Sequence, residues 1–159
     1  MKSLALSQLS EWCGGRLEGE DLIIQGIGTD TRSLTQGSLY IALRGENFDG
    51  HDFVAVAEAN GAVALLVERA VESSLPQIIC TNAQLALGQI AAALASDRDT
   101  RVLAITGSNG KTTTRTLTYS ILKCMGAEIW SNQGNRNNEI GLPLAVIDQP
   151  ETARFAIYE

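Results

Sequence analysis

Short runs of apolar residues alternate along this chain with segments in which apolar residues recur every three or four positions. The first pattern predicts buried strands, and the second predicts amphipathic helices. The predicted strands are residues 4–6, 22–27, 38–43, 62–68, 76–81, 102–106, 128–130 and 154–158. The predicted helices run from Ser7 to Gly14 and over residues 53–60, 83–96 and 112–125, with Ser7 and Asn82 as N-terminal caps. Because strands alternate with helices, we expect an α/β fold with parallel layers.

A polar and charged segment at residues 96–101 interrupts the apolar pattern. Such segments are typical of domain boundaries, and we predict one domain over residues 1–98 and a second over residues 99–159. Few strands are predicted after residue 101, which is too little to close a core. We therefore expect the chain to be a fragment of a longer protein.

The composition bounds the class of protein. Hydrophobic residues make up 45% and charged residues 19%, which is typical of a folded globular chain. The net charge of −6 argues against a general surface for nucleic acid or anionic membrane. No apolar run could span a bilayer, and the N-terminal residues do not form a signal peptide. With three scattered cysteines and one histidine, neither a disulfide framework nor a zinc site is expected, and a soluble cytoplasmic protein is favoured.

The apolar run at residues 102–106 leads into a glycine-containing turn with the sequence Gly107-Ser108-Asn109-Gly110-Lys111-Thr112-Thr113. Backbone N–H groups of such a turn, together with the positive end of the following helix, can cradle phosphates. Lys111 would add a full charge at the terminal phosphates, and the Thr112 hydroxyl can hold Mg²⁺. The spacing Gly-x-x-Gly-Lys-Thr is shorter than the general motif, so an ordinary turn with a surface lysine remains the alternative. We predict a nucleoside-triphosphate site.

Glu159 directly follows the last predicted strand. The carboxyl ends of strands carry the ligand site in open α/β sheets, so Glu159 is predicted to be a metal ligand beside the phosphate loop. A solvated terminal carboxylate is the alternative interpretation.

Several segments together resemble the Mur ligase family. Three segments resemble the central ATP-binding domain of these enzymes. They are Thr-Gly-Ser-Asn-Gly-Lys-Thr-Thr at 106–113, Gly-Asn-Arg-Asn-Asn-Glu-Ile-Gly-Leu-Pro at 134–143 and Ile-Tyr-Glu at 157–159. Their N-terminal UDP-binding domain is resembled by Thr-Asp-Thr-Arg-Ser at 29–33 and by Gly-Glu-Asn-Phe-Asp-Gly-His-Asp-Phe at 45–53. The short phosphate-loop spacing is the one that this family uses. The resemblance covers the whole chain, but only about the first third of a family enzyme.

The resemblance implies a small N-terminal α/β domain that binds UDP, followed by the first part of a parallel-sheet P-loop ATPase domain. It also implies ATP-dependent amide ligation through an acyl phosphate in peptidoglycan precursor synthesis, with ATP and Mg²⁺ as cofactors. The asparagine-rich loop is most similar to the branch that adds D-alanyl-D-alanine to UDP-N-acetylmuramoyl tripeptide. A monomer without nucleic-acid partners or membrane insertion is expected. We expect this chain alone to be inactive, because the late catalytic groups and the adenine pocket would come after Glu159.

The resemblance assigns a role to each candidate residue. Lys111 and Glu159 are expected to be catalytic, and Thr112 and Glu159 are expected to hold the metal. The residues expected to bind the ATP phosphates are Gly107, Ser108, Asn109, Gly110, Lys111, Thr112 and Thr113. The residues expected to bind substrate are Thr31, Arg32, Arg44, His51, Asn135, Asn137 and Asn138.

Plainer interpretations of the substrate residues stay open. The sequence Asp30-Thr31-Arg32 also fits a turn closed by an Asp–Arg pair, and His51 also fits a surface histidine or one satisfied within the fold. The three asparagines also suit turns, because Asn tolerates left-handed backbone and bonds its own chain.

Other functions also fit the pattern. One is a different ligase of the same superfamily, either an earlier Mur ligase or a folylpolyglutamate synthase. The Asp-Thr-Arg and asparagine-rich segments argue against the folate branch. Another is a nucleotide-sugar binding module without catalysis.

Overall fold

The computed structural model describes residues 3–132 and 136–159. Two compact units divide the chain, Met1–Ile90 and Ala91–Glu159. The predicted domain boundary after residue 98 falls within the second unit and stays a prediction.

The first unit contains most of the strands. Its elements in chain order are β1 (Leu4–Ala5), α1 (Leu6–Cys13), β2 (Arg16–Glu18), β3 (Ile23–Ile24), β4 (Gly26–Gly28), β5 (Ser38–Ile41), a 3₁₀ turn (Gly50–Phe53), α2 (Val54–Ala59), β6 (Ala62–Val67), β7 (Gln77–Ile79) and the start of α3 (Ala83–Ser96). Five strands form one sheet in the order β2-β7-β6-β5-β4, in which only the β2–β7 pair is antiparallel. Strands β1 and β3 form a separate antiparallel pair.

The centre of this sheet carries the core of the first unit. Leu39 and Ile41 on β5, and Leu65 and Leu66 on β6, are each 0% exposed. Consecutive buried residues mean that both faces of these central strands are covered, which explains why they read as continuous apolar runs rather than as alternating ones.

The second unit is built on a small parallel sheet. Its elements are β8 (Arg101–Ala104), α4 (Lys111–Cys124), β9 (Ile129–Ser131), α5 (Gly141–Ile147) and β10 (Phe155–Tyr158). The strand order is β8-β10-β9, and both pairings are parallel. The last strand in sequence is therefore the central one. The α/β class with parallel strands is confirmed.

The helices of the structure differ from the prediction in two ways. Helix α1 begins at Leu6, and the predicted Ser7 cap is wrong: the Ser7 N–H donates to Asp21 Oδ1 at 2.9 Å, so the cap comes from a residue distant in sequence. Helix α5 was not predicted. Its first turn contains Pro143, which a helix tolerates there, and the asparagine-rich residues before it favoured a polar loop. The Asn82 cap is confirmed, because its Oδ1 accepts from the Leu85 N–H at 2.7 Å.

The apolar face of α4 is open. Leu117, Ile121 and Met125 follow one another at helical spacing and are 59%, 62% and 74% exposed. Within the described ranges, none of the residues of α4 is buried. Its amphipathic pattern thus predicted the helix but not burial of its apolar side. No helix in the described part of the chain is long and apolar enough to cross a membrane.

Gly50→Ala is expected to destabilise the protein. An added Cβ would lie 2.6 Å from the Leu43 carbonyl oxygen and 2.7 Å from the Leu43 nitrogen, and the Gly50 N–H donates to that same carbonyl. Overpacking against backbone costs about 1–3 kcal/mol. Thermal unfolding would show a lower Tm.

Gly88→Ala is the matched control, because it adds a methyl group inside α3 with no atom within 4 Å. It should raise the free energy of unfolding by about 0.5–1 kcal/mol, since Ala favours helix over Gly. Equal effects of the two changes would contradict this interpretation.

Candidate functional site

The turn between β8 and α4 is shaped by two glycines. Gly107 has a φ of 149° and Gly110 a φ of 78°, in the half of backbone space that glycine enters most readily. An added Cβ at Gly110 would meet nothing within 4 Å, so the requirement there is conformational rather than one of space. Ser108 and Asn109 between them are exposed. The turn therefore presents open backbone at the start of a helix of 14 residues.

Lys111 lies back over this turn. Its Nζ donates to the Gly107 carbonyl at 2.7 Å, across the opening of the turn. Thr112 and Thr113 follow on the first turn of α4 and are exposed. A cation, hydroxyls and an exposed glycine-containing turn thus lie together at the start of α4, as expected for a polyphosphate site.

Glu159 lies beside the same turn. The Ile105 N–H donates to the Tyr158 carbonyl at 2.8 Å, so the chain after β8 stays paired to the end of β10. Glu159 Oε1 accepts from the Thr112 hydroxyl at 3.4 Å. The Glu159 side chain is 6% exposed, and its buried Oε2 has no hydrogen-bond partner among the described residues.

These atoms fit a divalent cation such as Mg²⁺. A buried carboxylate oxygen without a partner and a nearby hydroxyl are hard oxygen donors, which Mg²⁺ prefers. No cluster of three or more His, Cys, Asp or Glu side chains suited to a metal occurs in residues 3–132 and 136–159. A Mg²⁺ ion that also binds phosphates usually keeps several waters and takes only one or two carboxylates. A small number of protein ligands is therefore sufficient.

Two residues at this site, Arg115 and Asn132, were not predicted. Arg115 Nη1 lies 3.6 Å from Glu159 Oε1 and donates to the Asn132 carbonyl at 3.0 Å. Arg115 stands three residues after Thr112, and this spacing puts the two on one face of a helix. The helical spacing from Thr112 is the sequence signal that could have identified Arg115.

The asparagine segment is only partly described. Asn135 lies outside the described residues. Asn137 is exposed. Asn138 Oδ1 accepts from the Gly141 N–H at 2.6 Å and from the Ile140 N–H at 3.3 Å, which caps the start of α5. The structure thus gives Asn138 a turn-forming contact, and the substrate roles of the three asparagines stay predictions.

In the first unit, Arg32 and Asp30 form a forked pair. Arg32 Nε and Nη2 donate to the two carboxylate oxygens at 2.9 and 2.6 Å, which lowers the Asp30 pKa to about 2. The Arg32 side chain is nevertheless 87% exposed. A cavity of about 410 Å³ adjoins the pair, and its lining residues are Thr29, Asp30, Thr31, Arg32, Tyr40, Phe48 and Phe53. Aromatic walls beside an arginine suit a flat polar ring with an anionic tail.

His51 lies inside the fold rather than on this cavity. Its Nδ1 contacts Asp49 Oδ1 at 2.5 Å, and its Nε2 accepts from the Glu68 N–H at 3.0 Å. Both ring nitrogens are thus occupied, and the side chain is 1% exposed. Arg44 is 62% exposed and lies 3.8 Å from Asp49 Oδ2. The structure brings Thr31 and Arg32 to one cavity and leaves His51 and Arg44 out of its lining, and all four substrate roles stay predictions.

Comparison with known proteins matches both units. Residues 23–104 match the family model described as Mur ligase family, catalytic domain, and residues 105–159 match the Mur ligase middle domain. The UDP-N-acetylmuramoyl-tripeptide–D-alanyl-D-alanine ligase of Escherichia coli is 42% identical over 159 residues, which are 100% of this chain and 35% of that protein. The chain thus spans about a third of the length of the curated relatives that it matches.

Solved structures of MurF ligases are also similar to this chain. A MurF structure from Acinetobacter baumannii superposes with a TM-score of 0.92 at 33% identity, covering 100% of this chain and 35% of that one. The MurF ligase of Thermotoga maritima in complex with ADP gives a TM-score of 0.76 at 30% identity, covering 85% of this chain and 31% of that one.

Asp49→Asn is expected to lower the Tm at pH 7. The His51 backbone N–H, the His51 ring and Arg69 hold the Asp49 pKa below its ordinary value. A carboxyl group whose pKa is lowered by folding stabilises the folded state at pH values above its unfolded-state pKa of about 4. This stabilisation is lost as the pH falls through the folded-state pKa. The Tm difference from wild type should therefore shrink below about pH 4.

Asp52→Asn, at an exposed neighbouring position, serves as the control in the same pH series of thermal melts. A Tm difference for Asp49→Asn that stays constant between pH values of about 7 and 2 would contradict the assigned network.

Proposed function

This chain belongs to the Mur ligase family, and on that basis we propose that it forms part of an ATP-dependent ligase that joins D-alanyl-D-alanine to UDP-N-acetylmuramoyl tripeptide in peptidoglycan precursor synthesis. The observation that carries the proposal is the phosphate turn next to a buried carboxylate: Lys111 and Thr112 open α4, and Glu159 Oε1 lies 3.4 Å from the Thr112 hydroxyl. The identity of 42% to the Escherichia coli enzyme supports the choice of substrates.

The proposed reaction explains why such a site is needed. A carboxylate does not condense with an amine in water until its oxygen is made a better leaving group, and phosphorylation by ATP provides this. The transferred phosphoryl group carries dense negative charge, so catalysis consists mainly of positioning and electrostatic stabilisation. Backbone N–H groups of Gly107–Gly110 would bind the phosphates, and Lys111 would exchange its contact with the Gly107 carbonyl for a terminal phosphate.

Thr112 and Glu159 would hold Mg²⁺ at this site. When bound, the ion would neutralise phosphate oxygens and orient the terminal phosphate. The unpartnered Oε2 of Glu159 supports this role, because a buried carboxylate oxygen is costly unless some ligand or donor meets it. The ADP complex of the Thermotoga maritima relative supports binding of an adenine nucleotide by the parent enzyme.

The first unit is proposed to bind the UDP part of the substrate. Thr31 and Arg32 line a cavity whose aromatic walls include Phe48 and Phe53. The exposed guanidinium of Arg32 can meet a diphosphate, and a pyrimidine ring fits against the aromatic side chains.

The amine substrate and the compartment are also part of the proposal. Asn137 and Asn138 lie in the segment expected to face the tripeptide end of the substrate, and D-alanyl-D-alanine is chosen from the relatives' names. All three cysteines are described and none is paired, which is consistent with the proposed cytoplasmic location. We propose that the protein acts as a monomer.

Lys111→Ala is expected to weaken binding of inorganic triphosphate in the presence of Mg²⁺ by about tenfold to a hundredfold, because a charged hydrogen bond contributes about 1.5–3 kcal/mol. Inorganic triphosphate is the probe because the adenine pocket is expected beyond Glu159, and calorimetric titration of the 159-residue chain measures its affinity. Lys123→Ala is the control, since Lys123 is exposed in the last turn of the same helix. Unchanged triphosphate affinity in Lys111→Ala would argue against the phosphate site.

Arg32→Ala is expected to weaken UDP binding by a similar factor, about tenfold or more, because it removes the guanidinium that meets the diphosphate. Arg16→Ala is the control, since Arg16 is exposed and pairs with Glu18. UDP titrations on both variants, repeated with Lys111→Ala, test whether the two ligand regions are independent. UDP affinity that falls with Lys111→Ala but not with Arg32→Ala would contradict the assignment.

A further inference from the structure

Arg115 joins the ends of two neighbouring strands. Asn132 comes directly after β9, and Glu159 directly after β10. Arg115 Nη1 donates to the Asn132 carbonyl at 3.0 Å and lies 3.6 Å from Glu159 Oε1. The Arg115 side chain is only 18% exposed, and Asn132 is 2% exposed. The guanidinium is thus held by a buried backbone acceptor rather than spread over the surface.

The contact between Arg115 and Glu159 uses one carboxylate oxygen. Arginine commonly pairs with a carboxylate through two parallel hydrogen bonds, which occupy both oxygens. Here Oε1 faces both the Arg115 guanidinium and the Thr112 hydroxyl, whereas Oε2 has no partner among the described residues. The guanidinium therefore compensates the charge of Glu159 while one oxygen stays available.

The position of Arg115 on α4 explains why its guanidinium faces only one of the two carboxylate oxygens of Glu159. Arg115 stands one turn after Thr112, so both side chains project from the helix face that meets the strand ends. Bonding to the Asn132 carbonyl directs the guanidinium to the side of the carboxylate that carries Oε1. Burial of a guanidinium is costly unless its charge is compensated, and the nearby Glu159 carboxylate supplies that compensation.

We propose that Arg115 is a positioning residue for the cation site: it fixes the Glu159 carboxylate so that Oε2 is presented to a divalent cation held with the nucleotide. This inference rests on the proposed function, since it takes Glu159 as a ligand of that cation. It adds a residue that holds the ligand without itself touching the metal. Side chains that orient metal ligands typically contribute a factor of about 10–100 to metal affinity.

Calorimetric titration of inorganic triphosphate tests the proposal, in magnesium chloride and separately in EDTA, on the 159-residue chain. The measured quantity is the factor by which Mg²⁺ tightens triphosphate binding. Arg115→Met, which keeps the aliphatic stem, should reduce this factor about tenfold or more. Arg115→Lys, which keeps the charge, should restore part of it. Lys123→Met, near the exposed end of the same helix, should leave it unchanged.

Circular dichroism at the titration temperature identifies any variant that has lost its fold, and Arg115→Lys provides the reading if Arg115→Met is unfolded. A lower Tm with an unchanged Mg²⁺ factor would mean that Arg115 is merely structural and would overturn the proposal. A larger factor in Arg115→Met would mean that the guanidinium opposes the cation, and it would also overturn the proposal. Wild-type protein that binds no triphosphate at all would instead refute the phosphate site itself.

Discussion

The position of β10 between β8 and β9 is the constraint on which the second unit depends. Parallel pairing sets Tyr158 opposite Ala104 and Ile157 opposite Ser131, so the carboxyl ends of all three strands lie at one edge. The phosphate turn, Asn132 and Glu159 each follow one of these ends. Because β10 is last in sequence but central in space, a carboxylate 48 residues after Lys111 is brought next to it. Register, rather than proximity in sequence, assembles this site.

The two proposed anion sites would supply positive charge in different ways, which suits a chain with a net charge of −6. In the second unit, backbone N–H groups and a helix start carry partial charges that do not alter the net charge. In the first unit, the Arg32 guanidinium is paired with Asp30 and remains 87% exposed. Both proposed sites would favour a bound phosphate locally, without the broad basic surface that would also attract nucleic acid.

The sequence predicted the features whose cause is local, and strand order also predicted Glu159 beside the phosphate turn, but other contacts between distant residues were missed. The phosphate turn follows from Gly107 and Gly110, which can be recognised within a few residues of Lys111. The Ser7 cap was wrong because the acceptor that the helix uses belongs to Asp21, across a chain reversal. Arg115 was missed because its partners, Asn132 and Glu159, become neighbours only when the parallel sheet forms.

The buried Glu159 carboxylate contributes an unfavourable term to the stability of the folded state. A buried acceptor without a partner costs about 1–3 kcal/mol, and more when it is charged. A second hydrogen bond from the nearby guanidinium could have offset that cost, yet Arg115 donates to the Asn132 carbonyl instead. Two buried oxygens at the edge of the sheet that carries the phosphate turn, Asn132 Oδ1 and Glu159 Oε2, have no hydrogen-bond partner among the described residues. A cation bound with phosphate would offset the cost at Glu159 Oε2, so binding of such a ligand should also stabilise the folded state. The same buried oxygen thus links the stability of the second unit to its proposed chemistry.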